Sequence, residues 1–301
     1  MRRPVIMSEN LETDMALRRQ ALKSSLKRAV QRFVQARGYL IQRPSVIAKR
    51  GDYKHFFPAD AIDNKRFYNV GAGAFRHPFW TNIDYVSDWY SANASNIDIN
   101  FDLAEGAPLP LPDQEAELFF TSHTIEHICD SHAKILFREI RRALKPGGAV
   151  RITCPDVDLY YQALASNEPA LLPSFWNGKG TGHGIGQMFL YEFASQLSAI
   201  HPITSTDKIS DEELGRLFRD RPYSEVLDYC VSRCDFEVQK RYVGDHINWW
   251  NSDKLEAFLS DAGFAQIIRS GYQQSIVPVL RDARYFDTSH PEISLYVDAV
   301  R

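Results

Sequence analysis

The chain has 301 residues, of which 44% are hydrophobic and 24% charged, with a formal net charge of -3. That is a globular composition with room for one large domain or two small ones. It gives no global basic field for nucleic acid, no apolar run near the roughly 18 residues of a membrane span, and an opening too polar for a secretory leader, so the expected location is the cytoplasm.

Residues 16–50 carry ten Lys or Arg and no acid. Within them Leu22, Leu26, Val30 and Phe33 fall on one helical stripe, and Gly38 suits a C-cap. A basic amphipathic helix over 16–43 has two readings: peripheral contact with the inner face of an anionic membrane, or packing on the domain with a solvated basic face. Residues 1–64 read as an N-terminal arm, and 65–301 as the main domain.

"KRFYNV" reads as a first strand, followed by Gly71 and Gly73, where the backbone turns sharply and a ligand approaches closely. "WTNIDYV" reads as a second strand ending near Asp84, a carboxylate placed to accept ribose hydroxyls. Only residues 74–80, with Pro78 among them, separate the two, so the first crossover helix is one turn or absent. Phe101-Asp102-Leu103 is expected to end a third strand. Pro108, Pro110 and Pro112 exclude helix or inner strand after it. "AELFFTSH" is a fourth strand, buried on both faces. The following helix turns Ile135, Leu136, Ile140 and Leu144 inward and stops at Pro146-Gly147, and "AVRITCPD" is a fifth strand. The alternation predicts a doubly wound, mostly parallel α/β sheet.

Pro155 to His246 is a long aromatic-rich insertion, including Tyr160, Tyr161, Phe175, Trp176, Phe189, Tyr191 and Phe193. It is either a substrate lid over the carboxyl ends of the strands or an extension that packs or dimerises. A last helix follows "DHINWW", with Asn251, Ser252 or Asp253 as N-cap and Gly263 as stop, and "AQIIRSGYQ" and "ISLYVDAV" are the final strands. Cys129, Cys154, Cys230 and Cys234 are scattered without a CxxC pair, which suits reduced, mostly buried thiols.

"YNVGAG", "TNIDY", "FDLAEGAPLPLPDQEAELFFTSHTIEHI" and "REIRRALKPGGAVRITCPD", in this order, resemble the successive motifs of class I S-adenosylmethionine-dependent methyltransferases, nearest to the type 11 group. The resemblance implies a Rossmann-like, seven-stranded methyltransferase domain over 65–301 whose final strand is antiparallel, with the insertion at about 156–245. It implies S-adenosylmethionine as cofactor: Gly71 and Gly73 under its methionyl-ribose part, Asp84 on the ribose, Asp102 and Leu103 on the adenine, and Thr121, Ser122 and His123 beside the methionine tail. Asn69 stands where the family usually has an acid, which leaves the cofactor's amino group without a charged partner there. The short first crossover also occurs in a subgroup of the family.

A looser resemblance to bacterial enzymes that methylate surface polysaccharides suggests a sugar or glycan hydroxyl as acceptor. A small metabolite methylated on O or N is the second reading, and a non-catalytic cofactor-binding scaffold the third. Proton removal from a hydroxyl suits histidine. His183, flanked by glycines in "KGTGHGIG", and His246, before the last helix, are the candidate bases, with Asp156 after the fifth strand as another. Glu126 and His127 are expected to be structural, and no metal is expected.

Overall fold

The computed structural model describes residues 50–86, 91–204 and 206–301. The basic segment 16–43 lies outside the described residues. All the described residues belong to the compact unit Ser45–Arg301.

Seven strands form one sheet in the order β3-β2-β1-β4-β5-β7-β6. They are β1 (Phe67–Val70), β2 (Trp80–Asp84), β3 (Ile99–Asn100), β4 (Ala116–Ser122), β5 (Leu144–Pro155), β6 (Gln266–Arg269) and β7 (Ser294–Val300). The first five pair in parallel, and β7 is antiparallel to both β5 and β6. The result is a doubly wound Rossmann-like sheet, mostly parallel as expected. Strand order reverses between β1 and β4, and a crevice opens outside the carboxyl ends of the strands at such a reversal.

The alternation of side chains along β4 explains the two cores. Phe119 points to the face packed by α3 (Asp130–Ala143) and α10 (Ser252–Asp261), with Val70, Ile83, Phe137, Ile140 and Leu255. Leu118 and Phe120 point to the other face. There they meet Phe67, Trp80 and Phe286, together with Tyr53 of α1 (Arg50–Phe56) and Ile62 of α2 (Ala59–Asp63). Each fully buried aromatic here contributes on the order of 2–3 kcal/mol of apolar transfer.

No helix joins β1 to β2, as the short spacing requires. Phe75 fills the space instead, packed on Trp80, Phe120 and Phe286. Two asparagines tie the loop down. Asn82 Nδ2 donates to the Phe75 carbonyl at 2.8 Å, and Asn96 Nδ2 to the carbonyls of Gly73 and Phe75 at 3.0 and 2.6 Å.

Two element boundaries differ from the sequence reading. The third strand ends at Asn100, before Phe101-Asp102-Leu103. The Asp102 side chain accepts the Ala104 amide at 2.8 Å and diverts the chain into a short 3-10 turn, Leu103–Glu105. The helix ending at Ala143 does not include Leu144, which opens β5 opposite Ala116. Pro146 has no amide to continue a helix. The register slips between Ala116 and Leu118, where Gly147 takes a φ of +79°.

Between β5 and α10 lies the insertion. Its helices are α4 (Val157–Ser166), α5 (Pro173–Trp176), α6 (Ile185–Tyr191), α7 (Asp211–Asp220), α8 (Tyr223–Ser232) and α9 (Phe236–Arg241). It has its own core, in which Tyr160, Phe189 and Phe193 are buried with Leu172, Leu227 and Trp249. Phe175 and Trp176 remain exposed. Helix α10 is capped by Asn251, whose side chain accepts the Lys254 amide at 3.0 Å. All four cysteines are free thiols, Cys154 and Cys230 buried. Among the described residues no helix is long and apolar enough to cross a membrane.

Candidate functional site

A cavity of about 900 Å³ occupies the crevice at the carboxyl ends of β1, β2 and β4. Its lining includes Asn69, Gly71, Gly73, Asp84, Asp102, Leu103, Ser122 and His123, eight of the nine positions that the sequence proposed for the cofactor, and lacks Thr121. Both loop glycines are left-handed, with φ of +68° and +51°. At Gly71 a Cβ would stand 2.2 Å from Thr124 Oγ1, so a side chain is excluded by space as well as by conformation.

Asp84 braces the loop. Its Oδ2 accepts the Gly73 amide at 2.7 Å and its Oδ1 the Tyr85 amide at 2.7 Å. Each carboxylate oxygen keeps a second lone pair for a further donor. Asp102 uses Oδ1 for its turn, as above. Asn69 is buried on β1, and its Oδ1 accepts no hydrogen bond from the protein. A buried acceptor in that condition wants a donor, at a cost of about 1–3 kcal/mol if none arrives. His123 turns the chain after β4 with a φ of +50°, and its Nε2 lies 2.7 Å from Ser294 Oγ. Thr121 is buried in β4.

Eight further lining residues carried no signal in the sequence. Arg284, Tyr285, Thr288 and Ser289 come from the loop before β7, and Phe236, Gln239, Lys240 and Val243 from the end of the insertion. Chain separation hides both sets from a reading of local motifs.

A second cavity, of about 320 Å³, has His123, His127 and Ser289 in common with the first. Glu126, Tyr160, Lys179, Tyr191, Glu192 and His246 also line it. Glu126 is 1% exposed, and neither carboxylate oxygen accepts a well-formed hydrogen bond. Burial opposes its charge, yet the imidazoles of His123, His127 and His246 hold its carboxyl at about 2. Burial pushes His246 down to about 4, so its ring is neutral near pH 7. Its Nδ1 sits 2.6 Å from the Glu192 carbonyl. Burial lifts the Glu192 carboxyl to about 7, against the Ser174 amide that it accepts at 2.7 Å.

Of the three proposed acid–base residues, His246 alone lines either cavity. Asp156 is the N-cap of α4 and accepts the Asp158 amide at 3.1 Å. Burial raises its carboxyl, and the nearest Arg269 nitrogen is 3.9 Å away. His183 sits half-buried in the turn before α6, outside both walls. Gly182 answers to its left-handed φ of +82°, with open space around it, and Gly184 and Gly186 to packing. A Cβ on Gly184 would come 2.0 Å from Asp211 Oδ2, and one on Gly186 2.6 Å from Asp211 Oδ1. Glu126 and His127, expected to be structural, both line the smaller cavity. "HTIEH" places Glu126 and His127 side by side in the 3-10 turn Ile125–His127, three and four residues after His123.

Residues 79–152, about a quarter of the chain, match the family model described as Methyltransferase domain, Methyltransf_11. No curated protein matches the sequence. Among solved structures the chain is similar to a Thermotoga maritima SAM-dependent methyltransferase described as a possible histamine N-methyltransferase. That match is 12% identical, covers 78% of this chain and 81% of the other, and has a TM-score of 0.35. A Mesorhizobium loti S-adenosylmethionine-dependent methyltransferase is 17% identical, over 78% and 90%, with a TM-score of 0.35. One from Archaeoglobus fulgidus is 12% identical, over 78% and 85%, with a TM-score of 0.36. The segment spanning β2 to the middle of β5 is similar to a methyltransferase domain, and the cofactor that such a domain implies is S-adenosylmethionine.

Proposed function

We propose that the chain is an S-adenosylmethionine-dependent methyltransferase that methylates a hydroxyl of a polar small acceptor, a sugar or glycan unit being the class. The observation that carries the reading is the common wall of the two cavities: His123, His127 and Ser289 belong to both. Two reactants held in adjoining sites gain the proximity that methyl transfer needs.

The residues of the larger cavity fit the cofactor. Asn69 Oδ1 is the unsatisfied acceptor that an ammonium donor answers, in place of the acid expected there. Asp84 has lone pairs left for ribose hydroxyls, and Asp102 and Leu103, which line the same cavity, offer adenine an acceptor and an apolar contact. The left-handed glycines remove side chains from the path between them. When bound, S-adenosylmethionine supplies an electrophilic methyl on a sulfonium. The protein's part is to hold the acceptor oxygen in line with it, exclude water, and receive the hydroxyl proton.

The smaller cavity favours a polar acceptor. Asn177, Lys179, Tyr191, Ser195 and His290 line it beside the carboxyls of Glu126 and Glu192. An apolar acceptor would desolvate these groups and leave the Glu126 carboxylate, which has no hydrogen bond, without a donor. Calorimetry with S-adenosylmethionine and its demethylated product tests the first half, with binding of both expected. Incubation with a panel of mono- and oligosaccharides beside amine acceptors, read by mass and by the linkage of the new methyl group, tests the second. Transfer to oxygen is the expected result. Transfer to nitrogen alone would discard the hydroxyl assignment, and binding without transfer to any acceptor would leave a cofactor-binding scaffold.

A further inference from the structure

We propose that Glu126, His127 and His246 form a divalent transition-metal site beside the common wall of the two cavities. One ligating atom from each lies within 4.8 Å of the others. Ligands about 2.1 Å from a tetrahedral ion stand about 3.4 Å apart, so side-chain adjustment on the order of an ångström closes the set.

The hydrogen bonds around the cluster make the case stronger than proximity. A carbonyl only accepts, so each imidazole nitrogen facing one carries the proton. His127 Nδ1 donates to the Asp245 carbonyl at 2.9 Å, and His246 Nδ1 to the Glu192 carbonyl at 2.6 Å. In the neutral rings Nε2 is then the lone-pair nitrogen on both. His127 Nε2 stands 4.0 Å from Glu126 Oε1. Both Glu126 oxygens are buried without a hydrogen bond. The His127 and His246 rings and the Glu126 carboxylate are thus the donor groups of the set, with His123 Nδ1, 3.4 Å from Glu126 Oε1, as a competing ring nitrogen, and a cation is what such donors bind. Fixing ring orientation through an Nδ1–H donated to a backbone carbonyl is also how metal-bound histidines are held.

The ligand types select the ion. Two imidazoles and one carboxylate favour zinc and the neighbouring first-row divalent ions over magnesium or calcium, which prefer oxygen shells. Three protein ligands leave coordination positions open to the smaller cavity. If the methyltransferase reading holds, the ion would bind the acceptor hydroxyl there and ease loss of its proton. The metal site itself does not depend on that reading.

The test uses the full chain, stripped with a chelator and titrated with cobalt(II). Uptake of one equivalent is expected, with visible d–d absorption of a low-coordinate site. Zinc should displace the cobalt and equimolar magnesium should not. Glu126→Gln and His246→Gln should each weaken cobalt binding by about tenfold or more, with circular dichroism unchanged. If Glu126→Gln does not fold, His246→Gln and His127→Gln carry the comparison. No cobalt uptake by the wild type would overturn the site in favour of a cluster neutralised by protons on its histidines. Undiminished uptake by the folded variants would overturn the ligand assignment, and displacement by magnesium would overturn the choice of ion. Binding of the demethylated cofactor, measured on the same samples, reports separately on the larger cavity. Loss of metal with that binding intact leaves the methyltransferase reading standing.

Discussion

A carboxylate at the end of β2 does two things. Asp84 holds the amides of Gly73 and Tyr85, and it presents its remaining lone pairs to the larger cavity. Asp84→Ala removes both the brace and the charged acceptor. The expected loss of cofactor binding is about 1.5–3 kcal/mol, or roughly 10- to 150-fold in Kd, read by calorimetry. Affinity equal to wild type would remove Asp84 from the ribose site. Its place was legible because the spacing from Gly73 is local. Glu126 was not legible in the same way. The groups that give it meaning, His246 and the carbonyl that orients it, lie more than sixty residues along and arrive by folding. His183 shows a limit of local reading. Of the glycines on its two sides, Gly182 is left-handed with open space around it, while Gly184 packs on Asp211.

Strand β5 carries a charge through the sheet. Arg151 is fully buried. It donates from Nε to Asp287 Oδ1 at 2.7 Å and from Nη2 to Asp287 Oδ2 at 2.6 Å, and Nη1 reaches Asp298 Oδ2 at 3.0 Å. It also bonds Ser270 Oγ and the Gly271 carbonyl, each at 2.9 Å. The guanidinium thus fastens the connection between β6 and β7, at Ser270, Gly271 and Asp287, to β5, and ties β5 to Asp298 of β7. Asp287 precedes Thr288 and Ser289, which line the larger cavity, so this ion pair fixes one of its walls. Arg151→Met strands two buried carboxylates and should cost about 3–5 kcal/mol in urea unfolding. A triple variant that also carries Asp287→Asn and Asp298→Asn should recover part of that loss. Equal instability of the single and triple variants would mean that packing, not charge, is the term lost. The alternation of β5 was legible in "AVRITC", but an arginine within it has no sequence signal for its partners, which lie 136 and 147 residues away.

Several parts of the molecule meet at His77. Its ring packs on Tyr285 at 4.4 Å between centroids and on Tyr53 at 5.5 Å, and its Nδ1 accepts the Phe79 amide at 3.2 Å. Burial pushes it down to about 4, with Asp282 opposing the shift and Arg284 adding to it. The unfolded chain takes up this proton near 6.5 and the folded chain only near 4. The stabilisation is therefore complete above about pH 6.5 and is lost as pH falls towards 4, by up to about 2–3 kcal/mol. His77→Gln, which keeps an acceptor for the Phe79 amide, should flatten the acid side of a plot of unfolding free energy against pH. An unchanged slope from pH 6.5 to 4 would show that His77 does not set it.

The place of β7 between β5 and β6 has a consequence for the order of events in synthesis. Strand β6 leaves the ribosome well before β7, and among the described residues its partner in the sheet is β7. Until Ser294–Val300 has emerged, β5 presents an open edge and β6 has nothing to pair with. The anion that neutralises Arg151 from within the sheet, Asp298, arrives on that same segment. Folding of this half is therefore gated by its latest-made strand, and nascent chains stalled before Ser294 would expose both an unpaired edge and a half-matched buried charge to chaperones and proteases.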